Sequence, residues 1–244
     1  MSPHPDLLTP RSALFLDFDG TLTDIAPRPD AVVLHDDLPE LLKQLQQRLG
    51  GAVALVTGRA QDDIDPMLAP WRLTLPVAYE HGAVRRSADQ TLSLAEQPPL
   101  ARALAAAQSL ADRHPGLLVE HKRMSVALHF RQAPELASDC LATMAEAAGQ
   151  DAGLQLLHGK AVVEVKSARV GKGLAIEAFM AEPPFAGRVP VFVGDDVTDE
   201  PGFVAVQRLG GDGIKVGRGE TAAAHRIDDP TALRHWLQQS LQQR

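Results

Sequence analysis

Short apolar runs and helically spaced leucines alternate along the first third of the chain. Ala13–Phe18 is a compact apolar run and predicts a buried strand. Between Asp36 and Leu49, Leu38, Leu41, Leu42 and Leu45 recur at helical spacing, and Gly50-Gly51 supplies the stop. Ala52–Val56 predicts a second strand, Gln61–Leu68 a short helix and Leu75–Tyr79 a third strand. A strand-helix-strand-helix-strand order implies a parallel sheet with right-handed crossovers.

The middle of the chain has a different grammar. Leu100–Arg113 and Glu135–Ala148 are Ala/Leu-rich helical stretches, the second stopped by Gly149. Leu117–Glu120 and Ser125–Arg131 predict antiparallel strands, and Leu154–His158 with Ala161–Lys166 predicts a hairpin around Gly159. After that the α/β order returns: helix Val170–Ala181, strand Val189–Val193, helix Asp199–Gln207, strand Gly213–Val216 and helix Pro230–Gln239. The expected architecture is an α/β core, a Rossmann-like parallel sheet flanked by helices, made from residues 1–82 and 167–244. An α+β domain, residues 83–166, is inserted into it.

Composition narrows the function classes. With 244 residues and 45% of them hydrophobic, the chain can bury a sizeable core. Its net charge of -7 argues against nonspecific nucleic-acid binding, which needs a basic face. The one cysteine, Cys140, excludes an internal disulfide and a multi-cysteine zinc site, and reads as a small buried hydrophobe. No apolar stretch approaches the roughly 20 residues of a membrane span. The first ten residues lack the apolar segment of a secretory signal. A cytoplasmic protein is the expectation.

Four polar clusters fall just past predicted strands or at a helix start: Asp17-Phe18-Asp19-Gly20-Thr21, Thr57-Gly58-Arg59, Lys172 and Gly194-Asp195-Asp196. In a parallel sheet all four converge at the carboxyl edge, where ligands bind. Alternation along the first strand would put Asp17 and Asp19 on one face. Two neighbouring carboxylates repel unless a cation separates them or one keeps a proton. Either remedy suits phosphoryl transfer with a carboxylate nucleophile. Taken singly, each cluster also has a structural explanation: a turn, a helix cap or a solvated lysine.

In this order the clusters resemble the haloacid dehalogenase-like (HAD) phosphatase superfamily, and within it the trehalose-6-phosphate phosphatases. The narrower resemblance rests on Ala26-Pro27-Arg28-Pro29-Asp30-Ala31, Val56-Thr57-Gly58-Arg59, Glu80-His81-Gly82 and Gly194-Asp195-Asp196-Val197-Thr198-Asp199-Glu200. In the middle it rests on Val119-Glu120-His121-Lys122, His129-Phe130-Arg131, Gly159-Lys160 and Glu164-Val165. One departure is Val170-Gly171-Lys172-Gly173, where the pattern expects Asn before the Lys. The resemblance implies a HAD core with an inserted cap and a Mg²⁺ cofactor. Asp17 and Asp195 would give the metal carboxylate oxygens, Asp19 its backbone carbonyl, and Asp196 and Asp199 would be additional or outer ligands. Asp17 would be the nucleophile and Asp19 the general acid and base. Thr57 and Lys172 would bind phosphoryl oxygens with backbone N–H groups around Phe18 and Gly58. Thr21, Gly58 and Arg59 would line the phosphate side. Glu120, Lys122, Arg131 and Glu164 of the cap would meet the sugar.

The implied partner is a small sugar phosphate, with neither nucleic acid nor membrane, acting on a monomer. A functional link to a trehalose-6-phosphate synthase stays open. So do other substrates of the same chemistry, such as sucrose phosphate or mannosyl-phosphoglycerate, a phosphomutase, and a noncatalytic sugar-phosphate-binding module. A dinucleotide-dependent oxidoreductase is disfavoured because no Gly-x-Gly-x-x-Gly follows the first strand.

Overall fold

The computed structural model describes residues 4–24, 32, 34–159 and 161–242. The sequence features at 26–31 and at Lys160 lie outside them. Two compact units result: Met1–Leu94 with Gly171–Arg244, and Ala95–Val170.

In chain order the first unit begins with β1 (Ser12–Leu16), α1 (Leu38–Arg48), β2 (Val53–Val56), α2 (Gln61–Leu68), β3 (Val77–Tyr79), β4 (Val84–Arg86) and β5 (Leu92–Leu94). The second unit is α3 (Ala101–Ala111), β6 (Leu118–His121), β7 (Ser125–His129), α4 (Ala137–Gly149), β8 (Leu154–Gly159) and β9 (Val162–Ser167). The first unit then resumes with α5 (Lys172–Met180), β10 (Val189–Gly194), α6 (Glu200–Arg208), β11 (Asp212–Val216), β12 (His225–Ile227) and α7 (Pro230–Gln242).

The first unit holds an eight-stranded sheet in the order β12-β11-β10-β1-β2-β3-β4-β5. The six strands from β12 to β3 are parallel. Every residue of β1 and β2 is buried, as expected of strands covered on both faces. From β1 the chain steps through α1 to β2; from β10 it steps the other way through α6 to β11. Right-handed crossovers therefore put α1 and α6 on opposite faces. Accordingly α1 packs with α7, and α5 with α6. The reversal falls between β1 and β10, where Leu16 pairs with Val193. A ligand crevice opens beyond the carboxyl ends of strands at such a switch point.

Residues 83–94, expected to open the inserted domain, belong to this sheet. The turn from β3 to β4 is too short for a crossover, so β4 returns antiparallel with Tyr79 opposite Val84, and β5 follows antiparallel. The strand β12 is also absent from the sequence reading, because His225–Ile227 carries no apolar run to announce it.

The second unit is an antiparallel sheet in the order β6-β7-β9-β8 with α3 and α4 against one face. Val126, Leu128, Val163 and Val165 point into its core with Ala103, Ala107, Cys140 and Met144 from the helices. Cys140 is buried, and burial lifts its thiol pKa.

Candidate active site

β1 ends at Leu16, so Asp17 and Asp19 lie in the loop beyond it rather than on one face of the strand. Phe18 lies between them, and they take different partners. Asp17 stays buried at 5% exposure, and its amide donates to the Val193 carbonyl of β10 at 2.9 Å. Thr21, fully buried, sets its hydroxyl 3.5 Å from Asp17 Oδ2 and 3.3 Å from Asp195 Oδ1, bridging the ends of β1 and β10. Gly20 has φ +76°, and a Cβ there would lie 2.2 Å from Asp195 Oδ2. No other residue type could occupy this turn without pushing the carboxylate away.

Lys172 opens α5, is 3% exposed, and donates to Asp17 Oδ1 at 2.7 Å and to Asp199 Oδ1 at 2.6 Å. Burial works against its charge, but Asp17 and Asp199 outweigh that and hold its pKa above the usual lysine range. Asp199 is fully buried, and its Oδ2 accepts the amides of Asp195 and Asp196 at 3.0 and 2.9 Å. With three hydrogen bonds already accepted, Asp199 shapes the loop more than it can bind anything else. Asp196 is exposed and completes a reciprocal capping box with Asp199 around the short turn Val197–Asp199.

One carboxylate oxygen from each of Asp17, Asp195 and Asp199 lies within 4.8 Å of the others, a group that could hold a metal ion. The donor set is all hard oxygen, which suits a hard divalent cation. Asp17 and Asp195 retain the open lone pairs. Burial pushes the Asp17 carboxyl up to about 8, and burial together with Asp199 raises that of Asp195. Three acids facing one lysine leave negative charge in excess, the situation a cation relieves. The carboxylate of Asp196, expected as an additional or outer ligand, is not in this cluster.

Asp19 is gripped by Arg59, whose Nε and Nη2 each donate to one carboxylate oxygen at 2.6 Å. Arg59 also lies over the Phe18 ring, its guanidinium carbon 5.7 Å from the centroid. Thr57, 1% exposed at the end of β2, accepts the Arg59 amide at 3.1 Å. Glu80 and His81 hold this loop from β3: their amides donate to the carbonyls of Arg59 at 2.9 Å and Thr57 at 2.8 Å. Both adopt positive φ, 47° and 58°, a strained choice for residues other than glycine. Gly58 fits under the His81 ring, where a Cβ would approach Cε1 to 2.6 Å.

In the second unit the face of the sheet away from α3 and α4 carries Glu120, Ala127, Glu164 and Leu157 in one cross-strand row. Glu120 meets Lys122 Nζ at 3.3 Å and His129 Nε2 at 3.0 Å. The His129 hydrogen bond, then Lys122, holds the Glu120 carboxyl below its ordinary range. Arg131 is exposed in the turn after β7 and makes no hydrogen bond with a described residue.

Sequence reasoning missed Lys215. It is 5% exposed in β11, beside Gly194 in register, and its ammonium donates to the Asp195 carbonyl. β11 is buried from Gly213 to Val216, and a lone lysine in such a strand carries no sequence signal of its burial. Its effect is to fix the peptide that aims Asp195.

A doubly covered parallel sheet with acids at its switch point and a buried lysine across from them is a fold also adopted by haloacid dehalogenase-like hydrolases. The chain shares that fold with a haloacid dehalogenase-like hydrolase from B. subtilis at 17% identity and TM-score 0.68, covering 93% of this chain and 98% of that one. A family model described as trehalose-phosphatase matches residues 15–233, and the chain belongs to the trehalose-phosphatase family of phosphoric monoester hydrolases. It is 41% identical over 234 residues to the trehalose-6-phosphate phosphatase of Escherichia coli, covering 95% of this chain and 87% of that protein. The solved structure of Aspergillus fumigatus trehalose-6-phosphate phosphatase in crystal form 3 is similar at 27% identity and TM-score 0.77, covering 95% of this chain and 93% of that one. Among the described residues, no helix is long and apolar enough to cross a membrane.

Proposed function

We propose that this chain is a Mg²⁺-dependent phosphatase that hydrolyses trehalose 6-phosphate to trehalose and inorganic phosphate through a phosphorylated Asp17. One observation carries the reading: a buried aspartate at the sheet's switch point, with one oxygen held by Lys172 and the other facing Asp195. The names of the relatives supply the substrate. Asp17 and Asp195 would hold the metal. A bound Mg²⁺ supplies electrostatic stabilisation of the charge on the transferring phosphoryl group.

The remaining chemistry belongs to the side chains. Asp17 attacks phosphorus as the bond to the sugar oxygen breaks. Lys172 spends two of its three N–H bonds on Asp17 and Asp199, leaving the third for a phosphoryl oxygen. Among the described residues Thr57 accepts the Arg59 amide and donates to none, which leaves its hydroxyl proton for another phosphoryl oxygen. Asp19 gives its proton to the departing sugar oxygen and later takes one from the water that cleaves the aspartyl-phosphate. The Arg59 fork orients Asp19, and one of its two bonds must open when an Asp19 oxygen carries the proton. In the second unit, Glu120, Lys122, Arg131 and Glu164 offer donors and acceptors to an uncharged, hydroxyl-rich disaccharide.

The test is phosphate release by the purified protein, with Mg²⁺ or with EDTA, from trehalose 6-phosphate, sucrose 6-phosphate, glucose 6-phosphate and mannosyl-phosphoglycerate. Mg²⁺-dependent preference for trehalose 6-phosphate is expected. Preference for another ester would keep the Asp17 chemistry and overturn the substrate.

A further inference from the structure

The sheet face that carries Glu120 and Glu164 continues by one more row. Two residues along β9 from Glu164 stands Lys166, so strand alternation puts it on the same face. Its cross-strand neighbours are Ser125 on β7 and Gln155 on β8. The Gln155 amide is turned to the Ser167 carbonyl at 3.2 Å. Lys166 is partly buried, yet its ammonium makes no hydrogen bond and no ion pair with any described residue. Lys122, by contrast, has Glu120.

A lysine drawn partly out of water with no acceptor is in an unfavourable place. Burial lowers the Lys166 pKa, and the charge of Glu164 offsets this only in part. Long surface lysines normally escape such a position by extending to solvent. Lys166 lies in a row with Ser125 and Gln155, beside the row of Glu120 and Glu164, and its ammonium keeps some exposure, open to a ligand. The row spacing along a strand is about 7 Å, a distance that a disaccharide can bridge.

We infer that Lys166 is a specificity-determining residue, its ammonium donating to hydroxyl or ring oxygens of the substrate's sugar portion. This rests on the reading of the chain as a sugar-phosphate phosphatase whose second unit meets the sugar. It adds a residue that neither the motif pattern nor the comparisons single out.

The experiment compares kcat/KM for trehalose 6-phosphate with that for p-nitrophenyl phosphate, which has no sugar, in wild type, K166M and K166R. Loss of a hydrogen bond from a charged group should lower the trehalose-6-phosphate to p-nitrophenyl phosphate ratio about 10- to 100-fold in K166M. The loss should appear in KM, and K166R should recover part of it. An unchanged ratio in K166M would overturn the inference. So would a proportional fall on both substrates accompanied by a lower Tm, the mark of a structural role. If K166M does not fold, K166Q takes its place, and an unchanged ratio and KM in K166Q overturn it. A wild type without preference for trehalose 6-phosphate would overturn the underlying reading first, before any variant is compared.

Discussion

The two units organise polar groups in opposite ways. At the end of β1 and β10, charges are buried and nearly every donor has an assigned acceptor: Lys172 to two acids, Asp199 to two amides, Thr21 between Asp17 and Asp195. On the open face of the second unit, Glu120, Lys122 and Arg131 are exposed, and Lys166 is without a partner among the described residues. The first arrangement is preorganised, as transition-state stabilisation demands. The second is a surface of available hydrogen-bonding groups, as recognition of a polyhydroxylated ligand demands. Damage to the first should therefore cost turnover and stability, and damage to the second should cost selectivity.

The largest effect should come from Asp17→Asn, which keeps the shape and removes the nucleophile. Turnover of trehalose 6-phosphate should fall by about 10³-fold or more, and near-normal turnover would break the contrast at its root. Next is Lys172→Met. It strands Asp17 and Asp199 as buried acids, and removing one partner of a buried pair costs about 3–5 kcal/mol. Denaturant unfolding would register that loss, with activity falling alongside.

Gly20→Ala tests the close approach at the turn. The added Cβ meets Asp195 Oδ2, so the Mg²⁺ concentration for half-maximal activity should rise, with strain of about 1–3 kcal/mol in the folded state. A wild-type metal requirement in this variant would show that Asp195 is not aimed by the turn.

Asp17 also predicts a pH dependence. Burial raises its pKa from 3.8 to about 8, so the folded, metal-free site keeps a proton that the unfolded chain has already lost. This group's stabilising contribution is then complete below pH 3.8 and is lost progressively as pH rises toward about 8. A cation must displace that proton. Mg²⁺ affinity should therefore climb with pH up to about 8 and binding should release a proton, measurable by titration calorimetry in buffers of different ionisation enthalpy. An affinity flat with pH would contradict this.

The smallest effect belongs to the exposed face. Glu120→Gln should raise KM for trehalose 6-phosphate a few-fold while stability stays within about 0.5 kcal/mol, as for surface substitutions generally. A large loss of stability there would mean that this face is built like the other one.

The same contrast explains what could be read from the residues. Buried parallel strands write themselves as apolar runs, so β1, β2 and β10 and the helices between them were legible, with α2 matching residue for residue. The acids beyond β1 and β10 were legible because chemistry fixes their spacing. Their division of labour was not: Asp199 enters the cluster and Asp196 caps a turn, a choice made by amides pointing at one carboxylate. Lys215 was hidden because its burial depends on Asp195, distant in sequence. The three-residue strands β5 and β12 were hidden because pairing, rather than apolar content, makes them strands. Glu120 and Glu164 could be proposed only from the motif resemblance, since alternating charges on a sheet face look alike whether they bind a ligand or water.

The most direct measurement is rapid acid quench of the enzyme with Mg²⁺ and phosphate-labelled trehalose 6-phosphate, followed by peptide mapping. A transient, hydroxylamine-labile phosphate on the peptide containing Asp17 is the predicted result, absent in Asp17→Asn. Label on a different residue, or full turnover by Asp17→Asn, would contradict it.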